Sequence, residues 1–145
     1  MRSHELAARV SLTTTRLARR LRQQDKGELT LTLRAALATI ERRGPLTHGE
    51  LAEAEQIAPA TVTKVVGQLG DRGLIVRLPD GLDRRICRLA ISDAGAALLA
   101  ADRHRRTAWL ADRVARLDPA ARARLEAALD VLESLTAREP TAAGR

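Results

Sequence analysis

The chain has 145 residues, 45% of them apolar and 30% charged, with a net charge of +7; this is the composition of a folded domain, not of a disordered or membrane-spanning chain. Its single cysteine excludes an intrachain disulfide, and with no Phe, no Tyr and one Trp the core has to be aliphatic. Five units of the positive charge fall in residues 1–26 while residues 44–92 are neutral, so charge alone places no polyanion site in the middle of the chain.

Ala and Leu, 27 and 23 residues, are abundant helix formers. Residues 3–24 read as one helix: Leu6, Val10, Leu17 and Leu21 recur at helical spacing, arginines fill the other faces, and Asp25-Lys26-Gly27 ends it. A second helix is expected over 31–43, with Leu33, Ala36, Leu37 and Ile40 as its stripe and Gly44-Pro45 as its stop. Thr47 and Glu50 have the spacing of a capping box, so a short helix should run from there through Glu55 with Leu51 inward. Pro59 suits the first turn of the next helix, where Val62, Val65, Val66 and Leu69 form an i, i+3, i+4, i+7 stripe and Gly73 can supply a left-handed C-cap.

After Gly73 the pattern turns short and β-branched. Leu74 to Arg77 reads as one strand, Pro79-Asp80-Gly81 as a turn, and Ile86 to Ile91 as a second strand with Cys87, Leu89 and Ile91 on one face. Ser92-Asp93 begins a long helix to about Leu117, roughly 37 Å at 1.5 Å per residue. Asp118-Pro119 opens a last helix carrying Leu125, Leu129, Leu132 and Leu135, and residues 140–145 read as a frayed tail.

The order helix, short helix, turn, helix, hairpin over 29–92 describes a mainly α protein with a small β-hairpin wing, a winged helix-turn-helix. A tight turn between two short helices lets the second project from the body, so that its outer face fits a major groove about 12 Å wide. On that helix, residues 59–72, the outward positions are Ala60, Thr61, Thr63, Lys64 and Gln68. Between Arg72 and Arg88 five arginines face two aspartates, a local charge of +3 over the wing. The terminal helices, 1–28 and 93–139, carry more leucine than a small winged module needs, which points to a dimerisation region.

The run Ala60-Thr61-Val62-Thr63-Lys64-Val65-Val66-Gly67-Gln68-Leu69-Gly70-Asp71-Arg72-Gly73-Leu74-Ile75-Val76-Arg77 resembles the recognition helix and first wing strand of the MarR family of bacterial regulators. Asp83-Arg84-Arg85, followed by Leu89-Ala90-Ile91-Ser92-Asp93-Ala94-Gly95, is similar to that family's wing signature, D-x-R…L-x-L-[ST]-x-x-G. The resemblance implies a homodimer, with interlaced terminal helices, that regulates transcription from a pseudopalindromic duplex and more often represses it. It further implies that Arg85 on wing 77–89 enters the minor groove, held by Asp83 from the same strand face, and that Arg84, Arg77 and Lys64 contact phosphates. Two departures stand out. Ala58 replaces the Ser or Thr that often precedes the recognition helix, and Gly67 and Gly70 lie inside it, either softening its second half or permitting close packing against the wing.

Relatives often respond to a small anionic or lipophilic effector bound between the terminal helices and the winged module. The second half of the first helix, the second helix and the long fifth helix could line such a pocket, with Arg16, Arg19, Arg34 and His104 as candidates for holding an anion. Cys87, on the inward face of its strand, is poorly placed for a thiol sensor. His4, His48, His104 and Cys87 are scattered without metal-ligand spacing. No catalytic motif or cofactor fingerprint is present, so no enzyme and no cofactor is expected. Residues 1–30 lack an apolar leader core, so a cytoplasmic protein is expected. The alternative is a winged-helix architectural or protein-interaction module without sequence-specific DNA readout.

Overall fold

The computed structural model describes residues 1–27 and 29–137. The elements are α1 (Ser3–Arg22), α2 (Leu31–Arg43), β1 (Leu46–Thr47), α3 (His48–Glu55), α4 (Pro59–Asp71), β2 (Ile75–Pro79), β3 (Cys87–Ile91), α5 (Asp93–Val114) and α6 (Pro119–Thr136). The chain is mainly helical with a small antiparallel sheet, the class the patterning implies, and it forms two compact units, Met1–Arg106 and Thr107 onward.

In the first unit the stripes read from the sequence converge on one aliphatic core. Leu37 and Ile40 of α2, Leu51 of α3, Val62, Val66 and Leu69 of α4, and Leu89 of β3 are all essentially inaccessible to solvent. Thr47 and Glu50 form both halves of the capping box, with Glu50 N–H donating to Thr47 Oγ1 at 3.1 Å and Thr47 N–H to Glu50 Oε2 at 3.2 Å. This satisfies two of the amide donors that the start of α3 would otherwise leave unpaired. Thr30 caps α2 with the hydroxyl half alone, accepting from Leu33 N–H at 3.3 Å.

The sheet has three strands, in the order β1-β3-β2, where the sequence showed a two-stranded hairpin. Leu46 pairs with Leu89 and Thr47 with Arg88. Two residues are too few to display a period-2 alternation, which is why β1 was illegible. Three strand ends also shift. β2 runs on past Arg77 through Leu78 and Pro79, which pair with Arg88 and Cys87, so Pro79 is strand rather than turn. The other two move because a backbone donor is already engaged. Leu74 stays out of β2 because its N–H turns back to Leu69 O at 3.0 Å, while Gly73 N–H bonds Gly70 O at 2.9 Å. With Gly73 at φ +68°, this is the Schellman closure of α4. Ile86 stays out of β3 because its N–H bonds Asp83 O at 3.1 Å.

Two helix ends are shorter than the periodicity suggested. α1 stops at Arg22, after which Gln24 and Asp25 N–H groups bond Leu21 and Arg22 carbonyls in tightened i→i+3 turns. α5 ends at Val114 because Arg116 and Leu117 close the same kind of turn onto Arg113 and Val114.

The first turn of α5 is fastened to the end of α4. Ser92 N–H donates to Leu74 O at 3.0 Å, its hydroxyl donates to Gly73 O, and its Oγ accepts from Gly95 N–H at 3.1 Å as the N-cap. Gly95 is obligatory here, since a Cβ would lie 2.2 Å from Leu74 O.

Within the second unit, Asp118 caps α6 by accepting from Ala121 N–H at 2.7 Å, and Pro119 occupies the first turn. Neither α1 nor α6 contains a buried residue. Leu6, Leu12 and Leu17 of α1 and Leu125, Leu129, Val131 and Leu135 of α6 are exposed. The tail read over 140–145 lies outside the described residues.

Candidate nucleic-acid interface

The helix α4 is amphipathic with a clean division. Val62, Val65, Val66 and Leu69 are buried, whereas Ala60, Thr61, Thr63, Lys64 and Gln68 are all exposed on its outer side. Ala58 precedes it in extended conformation with no side-chain cap, so the first turn depends on Pro59 alone for preorganisation. Thr63 Oγ donates to Pro59 O at 3.2 Å, which fixes its rotamer and leaves its methyl and lone pairs outward. Gly67 has open space around its missing Cβ, and at Gly70 a Cβ would meet only Arg77 Nη2, at 3.7 Å. Close packing against the wing is therefore not why Gly67 is glycine.

The wing tip is a turn rather than strand, which corrects the expectation that Asp83 and Arg85 share a strand face. The β-ladder of β2 and β3 closes at Pro79–Cys87, and residues 80–86 form the turn beyond it. There Asp83 Oδ1 accepts from Arg85 N–H at 2.9 Å and from Arg85 Nε at 3.3 Å, while Oδ2 accepts from Arg85 Nη2 at 3.4 Å. The same carboxylate thus orders the backbone and points the guanidinium, although the Arg85 side chain is 91% exposed. The Arg85 amide, and then its guanidinium, hold the Asp83 carboxyl below the ordinary aspartate range. Arg84 and Arg77 are exposed on the same wing. Arg88 is drawn inward instead, 3.7 Å from Glu50 Oε1 and 3.9 Å from Asp80 Oδ2. Asp80 lies in the turn read from Pro79-Asp80-Gly81; what the sequence did not show is its hold on the Leu82 amide, at 3.3 Å, and on Arg88.

A second feature lies in the first unit, between α1, α2 and α5. A cavity of about 400 Å³ is lined by apolar Ala18, Leu21, Leu31, Ala35, Ala38 and Leu99 and by Arg22, Arg34, Asp102, Arg103 and Arg106. These are the three helices expected to line a pocket. Of the four anion candidates only Arg34 reaches it. Arg16 and His104 lie roughly 150–165° round their helices from the mean direction of the lining residues, at 100° per residue, and Arg19 is exposed on the flank of α1. Arg22, Arg103 and Arg106 do the lining instead, and sequence periodicity could have found them only with the cavity-facing side known.

Arg34 is itself committed: it pairs with Asp102, lies 3.7 Å from Asp25 and donates to Lys26 O at 3.2 Å. Burial pushes its pKa down, against the pull of Asp25. Arg106 clasps Asp25 with both ends of its guanidinium, Nε to Oδ1 at 2.7 Å, and that hydrogen bonding raises its pKa. Arg103 clasps Glu41 similarly, at 2.8 and 3.4 Å. Cys87 is half-buried with its thiol 3.9 Å from Arg88 O. Among the described residues no three His, Cys, Asp or Glu side chains gather in a metal-binding group, and no helix is long and apolar enough to cross a membrane.

The model of the MarR family matches residues 29–87, the span from just before α2 to the start of β3. An uncharacterised HTH-type transcriptional regulator of Mycobacterium bovis is 35% identical over 136 residues, 93% of this chain and 95% of that protein. A candidate transcriptional regulator from Pseudomonas aeruginosa, known from its crystal structure, superposes with a TM-score of 0.82 at 33% identity, over 93% of this chain and 96% of the other. A MepR variant from S. aureus, solved bound to an oligodeoxyribonucleotide, shares the fold with a TM-score of 0.71 at 20% identity, over 93% and 99% of the two chains.

Proposed function

The chain belongs to the MarR family and is a helix-turn-helix transcriptional regulator rather than an enzyme, and from that premise we propose that it works as a homodimeric repressor on a pseudopalindromic duplex. In this reading α4 enters the major groove of each half-site, with Ala60, Thr61, Thr63, Lys64 and Gln68 at the base edges and backbone. Arg85 enters the adjacent minor groove, and Arg77 and Arg84 contact phosphates.

The observation that carries the docking is the Asp83–Arg85 clasp. An exposed guanidinium is normally left to sample its rotamers, yet this one is aimed by the two hydrogen bonds it donates to one carboxylate, which also accepts from the Arg85 backbone amide. Preordering suits insertion into a narrow minor groove, where negative potential is concentrated. Sequence-independent contacts then position the protein and base contacts specify the site.

Dimerisation is supported by the uncovered leucines of α1 and α6, which neither unit buries by itself. We assign residues 1–28 and 93–139 to that role and 29–92 to DNA binding. Two-fold symmetry places half-sites about one turn, roughly 34 Å, apart. Such a dimer over a promoter excludes polymerase, hence repression. The cavity between α1, α2 and α5 is the place for a small anionic or lipophilic effector: its walls are largely apolar, and Arg22, Arg34, Arg103 and Arg106 edge it. An effector carboxylate would compete with Asp25, Asp102 or Glu41 for those arginines.

Selection of bound genomic fragments by the purified protein at ~150 mM salt tests the reading. An enriched inverted repeat, lost with Arg85→Ala, is expected. Lys64→Ala should weaken binding across sequences and lower the salt slope by about one. Binding without any enriched motif would replace specific regulation with an architectural role, and unchanged affinity in both variants would refute the docking.

A further inference from the structure

The tip of the wing carries a residue to which the docking above gives no task. Leu82 is 98% exposed, more than any other large apolar side chain among the described residues. Its loop is tied down rather than slack. Leu82 N–H donates to Asp80 Oδ1 at 3.3 Å, Asp80 N–H to Ile86 O at 3.0 Å, and Ile86 N–H to Asp83 O at 3.1 Å. Both tip carboxylates are engaged, Asp80 with the Leu82 amide and Arg88, and Asp83 with Arg85. The tip therefore presents Leu82 at its outer end, with Ile86 only 39% exposed at its base, beside two exposed guanidinium groups, Arg84 and Arg85, with the tip carboxylates already engaged.

We propose that Leu82 enters the minor groove beside Arg85 and makes the wing select A·T over G·C pairs at that step. The inference rests on the wing docking stated above. In the minor groove A·T and T·A pairs present only acceptors, whereas G·C adds the guanine amino donor. Arg85 carries donors alone, so it can satisfy the acceptors of an A·T floor. Neither Arg85 nor Leu82 can accept from the guanine amino group. That group also projects into the space an isobutyl side chain needs, and covering it strips its water without replacing the hydrogen bond. Apolar side chains of this size are the ones minor-groove proteins place between or against base steps. Arg85 senses groove width and potential; Leu82 adds chemical discrimination at one step.

The test is selection from a pool of randomised duplexes at ~150 mM salt, using the full-length protein, Leu82→Asn and Arg85→Ala in parallel. Asn offers an acceptor for the guanine amino group, and because Leu82 is almost wholly exposed the replacement leaves the core untouched, as circular dichroism will check. The unmodified protein should enrich A·T at the wing positions, with about a tenfold affinity loss on placing G·C there. Leu82→Asn should keep the motif read by α4 and bring that ratio close to one. An unchanged A·T preference in Leu82→Asn, or none in the unmodified protein, overturns the inference. If Arg85→Ala still weakens binding in that case, the docking survives without Leu82; if Arg85→Ala is also silent, the docking falls with it.

Discussion

Gly67 sits in the middle of α4, half-exposed, and a Cβ built on it meets nothing within 4 Å. Glycine in a helix interior is less favourable than alanine by about 1 kcal/mol, mostly through the backbone entropy it loses on folding. With no clash to offset it, Gly67→Ala should recover that whole amount. At Gly70 the new methyl would stand 3.7 Å from the mobile end of Arg77, an ordinary contact, so Gly70→Ala should add a further gain of up to about 1 kcal/mol. For a chain of this length 1 kcal/mol corresponds to roughly 2–4 °C in Tm. Urea denaturation should show a higher midpoint at unchanged slope, the mark of a stability change rather than an altered unfolded state. Amide exchange over residues 66–72 supplies the second readout: faster than the core in the unmodified protein, slower in Gly67→Ala. A midpoint that stays or falls, or amides already as protected as the core, would refute the idea of a helix softened by its glycines.

Four other outcomes are expected. Gly95→Ala forces a methyl to within 2.2 Å of Leu74 O, and the shift should destabilise the protein by roughly 3 kcal/mol, read from the urea midpoint. Asp102→Ala removes the closer of the two carboxylates on buried Arg34, leaving Asp25 at 3.7 Å, and should cost up to about 3–5 kcal/mol; a loss under 1 kcal/mol would mean the pair is not a buried ion pair in solution. Because the Asp83 carboxyl titrates below an ordinary aspartate, the order it gives the wing tip is complete above the ordinary range and is lost as pH falls through the lowered value; an ordinary or raised carboxyl titration by NMR would contradict the clasp. Leu129→Glu places a charge on the uncovered face of α6 and should shift the protein from dimer to monomer in analytical ultracentrifugation, with no shift if that face stays in water.

Long amphipathic stripes were legible because their period is repeated several times: Leu33, Ala36, Leu37 and Ile40 bury themselves as read, and so do the valines of α4. Caps were legible because they are local chemistry, as at Thr47/Glu50 and Asp118. Elements shorter than their own period were not, hence the missing β1 and the placing of Asp83 and Arg85 on a strand face rather than in the turn. The Asp83–Arg85 partnership was implied by the resemblance of the wing motif, and it is local, with only Arg84 between the partners. The cavity arginines could not, because Arg34–Asp102 and Arg106–Asp25 join residues 68 and 81 positions apart, and only packing brings them together.

The bonds of Ser92 and the close approach of Gly95 to Leu74 join three things at one point: the end of the reading helix, the base of the wing and the first turn of α5. No slack is left between them, so α5 acts as the stock on which the reading head is mounted. A tilt of its first turns re-aims α4 and the wing together, without either having to deform. The cavity lies farther along the same helix, at Leu99, Asp102, Arg103 and Arg106. In the proposed dimer, an effector that wedged it open would steer the spacing of the two heads rather than dismantle either one, and would release DNA with the side chains proposed to read bases still in place.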